Sequence, residues 1–292
     1  MNEWDGKGLV STDWLAKNIK NPDLRIYDAT VHLGPPIGDG RPYSIESGLA
    51  DYEASHIPGA GFLDLVQDLS DTTSDLSYTM PSADHLAKRF GAAGISRSTR
   101  VVVYSTTSPM WATRIWWMLR SMGFNDVAIL DGGFAKWKAE GRATTTTGRE
   151  FYPPATLSLS ADTSAWVDKQ AVLDAIGDEA VCTINALAPE IFSGEGGRNY
   201  GRKGHITGSK NVPYADLLNK DGTYKGPDEL RGLFDASGAL KRQRIICYCG
   251  GGISATMDAL ALTRLGIHNI AIYDGSMTEW CRDPNLPMET GA

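Results

Sequence analysis

An internal duplication constrains this 292-residue chain more than any other feature of its sequence. Three short motifs of the first half return in the same order in the second half, and the offset between equivalent positions drifts only from 149 to 143 residues. This period is far too long for a solenoid repeat and corresponds to one duplicated domain. The paired motifs are His56–Ala60 with His205–Ser209, Arg100–Ser105 with Arg244–Cys249, and Leu130–Trp137 with Tyr273–Trp280.

The duplication predicts a first domain over residues 1–147 and a second over residues 161–292. Residues 148–160 lie between them and include Pro153 and Pro154 without apolar periodicity, which is typical of a linker. Within each half, short apolar runs alternate with helical patterns. This alternation predicts an α/β fold, with a parallel sheet flanked by helices on both faces in each domain. The predicted strands are 24–28, 101–104, 126–130, 181–184, 244–248 and 269–273, and the predicted helices are 12–19, 111–122 and 254–265.

Charge and composition exclude several partners. The formal net charge is −7, so a fold-wide basic surface for nucleic acid is not expected. The chain has no apolar run of about 18 residues, and we therefore expect no membrane partner. It shows no signal-peptide pattern, and its four cysteines lack the spacing of a disulfide scaffold or a zinc site, so we expect a cytoplasmic protein with reduced thiols and no structural metal.

The most informative segment follows the predicted strand 244–248. Cys249 ends the apolar run, three glycines follow, and a helix is predicted to start near Ser254. Ligands of open α/β sheets bind at the carboxyl ends of strands, where a glycine-rich turn and a helix N-terminus direct N–H groups at an anion. Such a setting favours the thiolate form of a cysteine. The amides expected to stabilise a thiolate or persulfide at Cys249 belong to Gly250, Gly251, Gly252, Ile253 and Ser254.

The equivalent position in the first half is Ser105. The segment after it, Thr106–Met110, contains no glycine. The first half therefore keeps the position in the fold but lacks both the nucleophile and the loop. We expect the first domain to be catalytically inactive.

This ordered set of motifs resembles the tandem-domain sulfurtransferases of the rhodanese family, which comprise thiosulfate and 3-mercaptopyruvate types. The resemblance covers nearly the whole chain. It implies that Cys249 takes the outer sulfur of a donor as a persulfide and passes it to a thiol, cyanide or protein acceptor. It also implies that no metal or organic cofactor is needed, because the persulfide carries the sulfur, and that the first domain covers the site at the domain interface.

The resemblance leaves the donor open between thiosulfate and 3-mercaptopyruvate. Thiosulfate-type members have basic residues in the loop, where this chain has Gly250 and Gly251. Mercaptopyruvate-type members have a serine at the position of Gly251, assisted by an aspartate and a histidine of the first domain. Asp64 matches that aspartate, whereas Tyr78 stands at the histidine position.

The resemblance also places donor-binding residues before His205–Ser209, the second copy of the His56–Ala60 motif. Arg198 matches one of the family's two donor-binding arginines, and Ile191 stands at the other position. Asn185 replaces a usual aspartate. The nearby cations Arg202 and Lys203 are candidates to bind donor oxygens in place of the missing arginine.

Other functions are weighed against this one. A non-catalytic or regulatory rhodanese-like binding module needs no nucleophile, which agrees with the first half but not with Cys249. A cysteine-based phosphatase needs an arginine six positions after the cysteine, where this chain has Ala255. A thiol-disulfide oxidoreductase is typical of C-x-x-C, whereas Cys247 and Cys249 form C-x-C. Sulfur transfer is therefore the favoured prediction.

Overall fold

A computed structural model of the chain describes Trp4 and residues 8–38, 41–148, 151–158 and 160–291. The elements of the first domain are strands β1 to β7 and helices α1 to α5. The strands are β1 (Leu9–Val10), β2 (Leu24–Asp28), β3 (Val31–Gly34), β4 (Ser44–Ser47), β5 (Ala60–Phe62), β6 (Arg100–Tyr104) and β7 (Val127–Leu130). The helices are α1 (Thr12–Asn18), α2 (Leu49–Ala54), α3 (Ala83–Ala92), α4 (Pro109–Ser121) and α5 (Gly133–Ala139).

The second domain contains strands β8 to β14 and helices α6 to α10. The strands are β8 (Trp166–Val167), β9 (Val181–Asn185), β10 (His205–Ile206), β11 (Lys210–Asn211), β12 (Arg244–Tyr248), β13 (Ile270–Tyr273) and β14 (Met288–Glu289). The helices are α6 (Lys169–Ala175), α7 (Pro189–Ser193), α8 (Pro227–Ala236), α9 (Ala255–Arg264) and α10 (Ser276–Trp280). Short 3₁₀ turns lie at Thr163–Ala165, Tyr214–Leu217 and Ala239–Lys241.

Two five-stranded sheets have the same topology. The first has the strand order β1-β7-β6-β2-β5, and the second has the order β8-β13-β12-β9-β11. Every pairing within them is parallel. Helices flank both sheets, which confirms the predicted fold class, and the ends of the predicted strands and helices differ from the observed ones by at most two residues.

The larger of two apolar clusters spans both domains, and the smaller one lies within the first domain. Helix α4 begins at Pro109, where Ser108 caps the helix by accepting the amide of Met110. Helices α4 and α9 are buried on almost all sides because each packs on its own sheet and against the other helix. One cluster of buried apolar side chains therefore runs through both domains. This packing sets the position of the first domain over the carboxyl edge of the second sheet.

The described residues of the predicted linker lie along the first domain. The amide of Ala155 donates to the carbonyl of Gly91 at 2.8 Å, and the hydroxyl of Tyr152 donates to the carbonyl of Gly59 at 2.5 Å. Residues 149, 150 and 159 of the predicted linker fall outside the described residues. The boundaries at residues 147 and 161 stay a prediction. In the described part of the chain, no helix has the length and apolar character required to cross a membrane.

Candidate active site

Cys249 lies at the carboxyl end of β12, directly before the loop that leads into α9. Its side chain is buried, with 2% of its surface exposed, but it lines a cavity of about 300 Å³. Both domains form the walls of this cavity. The first domain contributes Leu33, Tyr43, Tyr78, Met110 and Trp111, and the second contributes Arg198 and Tyr200 together with the loop.

Ser276 holds the loop in place from the neighbouring helix α10. Its Oγ accepts the amide N–H of Cys249 at 3.1 Å and that of Gly252 at 3.0 Å, and it donates to the carbonyl of Tyr273 at 2.7 Å. Ser276 adopts a left-handed backbone conformation, with φ of 49°, which is uncommon for a residue with a side chain. Three bonds to one hydroxyl thus connect the loop to the end of β13.

Four of the five predicted loop amides stay available for a ligand. Among the described residues, the amides of Gly250, Gly251, Ile253 and Ser254 donate to no other group, and all four residues line the cavity. Gly252 differs from the prediction because its N–H is taken by Ser276 and the residue does not line the cavity. The four remaining amides precede or open helix α9, where unpaired N–H groups favour an anion.

Two tyrosines explain why the loop has no side chains at its first two positions. A Cβ atom on Gly250 would overlap the hydroxyl of Tyr200, and one on Gly251 would lie 3.0 Å from Oη of Tyr43. The loop therefore offers main-chain groups to the cavity, and the tyrosines supply the side-chain hydroxyls beside it.

Arg198 is the cation at this site. Its guanidinium carbon lies 5.0 Å from the ring centre of Tyr43, within the range of a cation–π interaction. Of the described residues that line the cavity, it alone carries a positive charge, and Glu190 contributes a carboxylate. Ile191 also lines the cavity, so its position holds an apolar side chain rather than a second cation.

The structure does not bring the other three predicted donor-binding residues to the cavity. Arg202 donates to the carbonyls of Asp283 and Leu286 at 3.0 and 2.8 Å, and neither Arg202 nor Lys203 lines the cavity. Their charge therefore does not replace the missing arginine beside Cys249.

Asp64 also lies outside the cavity lining. Its Oδ1 accepts the amides of Val66 and Gln67, both at 2.9 Å, and its Oδ2 accepts the hydroxyl of Ser47 at 2.9 Å. These contacts are those of an aspartate that shapes a turn. Tyr78, the other first-domain position singled out in the sequence, does line the cavity.

Arg114 is a functional residue that sequence reasoning missed. Its side chain is fully buried, and its Nη1 donates to the carbonyl of Gly252 at 3.0 Å. Its Nη2 donates to Asp274 at 2.7 Å and to the carbonyl of Tyr78 at 2.6 Å. An arginine of the first domain thus holds the loop that follows Cys249 in the second domain. The available signal was a lone arginine in the otherwise apolar stretch of α4.

Burial raises the pKa values of a tyrosine that lines the cavity and of three cysteines that lie outside it. Burial, together with a smaller electrostatic interaction with Cys249, raises the pKa of Tyr43 to about 12. The Tyr43 phenol is therefore a neutral hydrogen-bond donor at physiological pH. Burial also raises the pKa values of the thiols of Cys182, Cys247 and Cys281, so these three cysteines stay protonated.

Comparison with known proteins agrees with this geometry. The family model of the rhodanese-like domain matches residues 11–140 and again 170–283. The chain is 34% identical to a mouse thiosulfate sulfurtransferase, over 97% of this chain and 94% of that protein. It is 33% identical to the 3-mercaptopyruvate sulfurtransferase of Escherichia coli K12, over 96% of this chain and 97% of that protein. The crystal structure of the Escherichia coli 3-mercaptopyruvate sulfotransferase SseA superimposes with a TM-score of 0.78 at 32% identity, covering 92% of this chain and 98% of that one.

Proposed function

This chain belongs to the rhodanese family of sulfurtransferases, and we propose that Cys249 is the nucleophile through which it moves sulfur. One observation carries this assignment. Cys249 is the cysteine that lines this interdomain cavity, next to one arginine and four amides that have no partner among the described residues. An anion on its sulfur, whether thiolate or persulfide, would be stabilised there by charge-assisted hydrogen bonds.

In the first step, the Cys249 thiolate attacks the terminal sulfur of the donor. A sulfur–sulfur bond forms while the bond between that sulfur and the rest of the donor breaks, and its electron pair leaves with the donor remainder. The remainder is sulfite when the donor is thiosulfate, and the enolate of pyruvate when it is 3-mercaptopyruvate. Arg198 holds an anionic group of the donor.

In the second step, an acceptor attacks the outer sulfur of the persulfide. With cyanide, a carbon–sulfur bond forms, thiocyanate leaves, and the electron pair of the broken sulfur–sulfur bond restores the Cys249 thiolate. A small thiol or a protein thiolate reacts in the same way and becomes a persulfide. The steps need no cofactor because sulfur moves from one nucleophile to the next.

A phosphatase reading has less support from the site. Ala255, six positions after Cys249, is fully buried at the start of α9, where a phosphate-binding arginine would have to stand. Arg198, the one cation among the lining residues that the structure describes, comes from a different segment of the chain. Sulfur transfer uses the main-chain amides without requiring that arginine.

Mass spectrometry of the intact protein and its peptides tests the proposal. The protein is treated with thiosulfate or 3-mercaptopyruvate in the absence of acceptor. We expect a gain of one sulfur atom on the peptide that contains Cys249, and release of that sulfur as thiocyanate on addition of cyanide. Cys249→Ser should abolish the adduct, whereas the control Cys247→Ser should retain it. An adduct that persists in Cys249→Ser would refute the assignment.

A further inference from the structure

Tyr78 carries a buried hydroxyl that no described residue satisfies. The residue is 4% exposed and lines the cavity next to Cys249, yet its Oη has no hydrogen-bond partner among the described residues. A buried hydroxyl without a partner costs free energy, and native proteins rarely tolerate one without a reason. A ligand in the cavity that accepts a hydrogen bond would supply the missing partner.

The backbone of Tyr78 is held in an unusual conformation. Its φ is 63°, in the left-handed region that bulky residues seldom adopt. One contact within the first domain and one with the second domain hold this segment on both sides. Arg114 donates to the carbonyl of Tyr78 at 2.6 Å, and the amide of Met80 donates to Asp274 at 2.8 Å. The position of the phenol is therefore set by the same groups that hold the active-site loop.

Most of the polar side chains that line the cavity with Tyr78 are uncharged. The hydroxyls of Tyr43 and Tyr200 lie against Gly251 and Gly250, and burial raises the pKa values of all three phenols, which keeps them protonated. Arg198 is the one cation among the described lining residues, and Glu190 opposes it in charge. Among the described lining residues a compact dianion would contact Arg198 as its one cation, and Arg41 acts on Tyr43 and Tyr78 electrostatically, from outside the cavity lining. A monoanion with an uncharged oxygen would find a partner for its charge in Arg198 and a partner for its oxygen in Tyr78.

We propose that Tyr78 donates a hydrogen bond to an uncharged carbonyl oxygen of the sulfur donor and thereby determines donor specificity. The inference rests on the proposed function of Cys249. The favoured donor class is a thiol that bears one carboxylate for Arg198 and a neighbouring ketone oxygen for Tyr78. Thiosulfate, which has no uncharged carbonyl, is the disfavoured donor.

The hydrogen bond from Tyr78 becomes stronger as the donor reacts. The Cys249 thiolate attacks the thiol sulfur of the donor, the sulfur–sulfur bond forms and the carbon–sulfur bond breaks. The electron pair of that bond forms an enolate, whose negative charge lies largely on the ketone oxygen next to the phenol. The enolate carbon then takes the proton released by the thiol of the donor, which leaves the Cys249 persulfide anion and an α-keto acid. A hydrogen bond that strengthens with developing charge raises kcat rather than only lowering KM.

Tyr78→Phe removes the hydroxyl and keeps the ring. We expect kcat with 3-mercaptopyruvate to fall about 10- to 100-fold while KM changes less than about threefold. Inorganic polysulfide has no oxygen to accept the hydrogen bond, so the single-turnover rate of persulfide formation from it should stay within about twofold of wild type. Tyr27→Phe is the control, because that buried hydroxyl donates to the carbonyl of Ala93 away from the cavity, and it should change neither rate.

The outcomes separate this inference from the function it rests on. Unchanged turnover of 3-mercaptopyruvate in Tyr78→Phe, or an equal loss with 3-mercaptopyruvate and polysulfide, would overturn the role of Tyr78. Neither result would affect the assignment of Cys249 as the nucleophile. A wild-type protein that turns over thiosulfate faster than 3-mercaptopyruvate would also overturn it. If the wild type forms no persulfide at Cys249 with any of the three donors, the proposed function fails and the inference fails with it.

Discussion

The hydroxyls of Thr113 and Thr256 lie 2.7 Å apart across the domain interface, and the two residues are 143 positions apart in the chain. That separation equals the offset between the Leu130–Trp137 and Tyr273–Trp280 motifs, which follow the two helices, so equivalent positions of the two copies contact each other. A contact of this kind lies on a local two-fold axis. The duplicated domains are therefore packed as a symmetric pair, through helices α4 and α9.

The symmetry extends to contacts on either side of that axis. The amide of Tyr224 donates to Asp131 at 2.8 Å, and the amide of Met80 donates to Asp274 at 2.8 Å. The symmetry is broken at one pair of equivalent positions on helices α4 and α9. Arg114 of the first domain donates to the carbonyl of Gly252 in the loop of the second domain, whereas its counterpart at the same offset, Met257, carries a buried apolar side chain that cannot donate such a bond. The asymmetry supports only the loop that follows Cys249.

Replacing Arg114 with methionine should reduce both stability and activity. The change leaves Asp274 and the carbonyls of Tyr78 and Gly252 without their shared donor, and breaking a buried pair from one side costs about 3–5 kcal/mol. Urea unfolding and the rate of persulfide formation check the two effects. The control is Arg120→Met on the same helix, which should cost less than about 1 kcal/mol and leave the rate unchanged. Equal losses in the two variants would contradict the role of Arg114.

A methyl group added at Gly251 should slow sulfur transfer, and removal of the Tyr43 hydroxyl should restore the rate. In Gly251→Ala the new Cβ lies 3.0 Å from Oη of Tyr43. We expect slower persulfide formation in Gly251→Ala and substantial recovery in the double variant with Tyr43→Phe. Gly250→Ala is the contrasting case, because its Cβ would also lie 2.5 Å from Cζ of Tyr200, a contact that Tyr200→Phe retains. No recovery at residue 251 would show that the hydroxyl is not the obstacle.

Arg198 and Arg202 should respond differently to the same substitution. Arg198→Gln removes the cation of the cavity, and loss of a charge-assisted hydrogen bond worth about 1.5–3 kcal/mol should raise KM for an anionic donor roughly 10- to 100-fold. Arg202→Gln loses bonds to the carbonyls of Asp283 and Leu286, so it should lower the melting temperature with little change in KM. Steady-state kinetics with both donors and thermal unfolding measure these effects. A larger KM effect in Arg202→Gln would mean that the donor binds elsewhere.

Titration of the buried Asp258 carboxyl should lower the free energy of unfolding as pH rises. Burial raises the pKa of its carboxyl well above the ordinary value, and its buried titratable neighbours are Tyr224 and Cys247. The folded state then binds this proton more tightly than the unfolded state. The stability it contributes is complete below the ordinary pKa of about 4 and declines as pH rises toward the folded value.

The variant Asp258→Asn removes this titration. We expect its free energy of unfolding, relative to wild type, to increase between pH 4 and pH 8. Urea unfolding at both pH values gives the difference. Asp235→Asn, at an exposed position of α8, should change stability little at either pH. A relative stability of Asp258→Asn that falls with increasing pH would contradict the assignment.

The sequence by itself determined the duplication, the parallel strands, and Cys249 with its glycine loop. These features are local, because an apolar run, the glycines after it and a helix signal are adjacent in the chain and follow from backbone preferences alone. The tertiary structure decided which residues line the cavity at Cys249 and which hold the loop that follows it. These residues include Tyr43, Tyr78 and Arg114, which belong to the other domain and lie more than a hundred positions earlier in the chain. Local sequence patterns do not predict which surfaces contact each other when two domains pack. Asp64, Arg202 and Lys203 lie outside the cavity lining. Asp64 instead accepts the amides of a turn, and Arg202 donates to carbonyls of the segment 283–286.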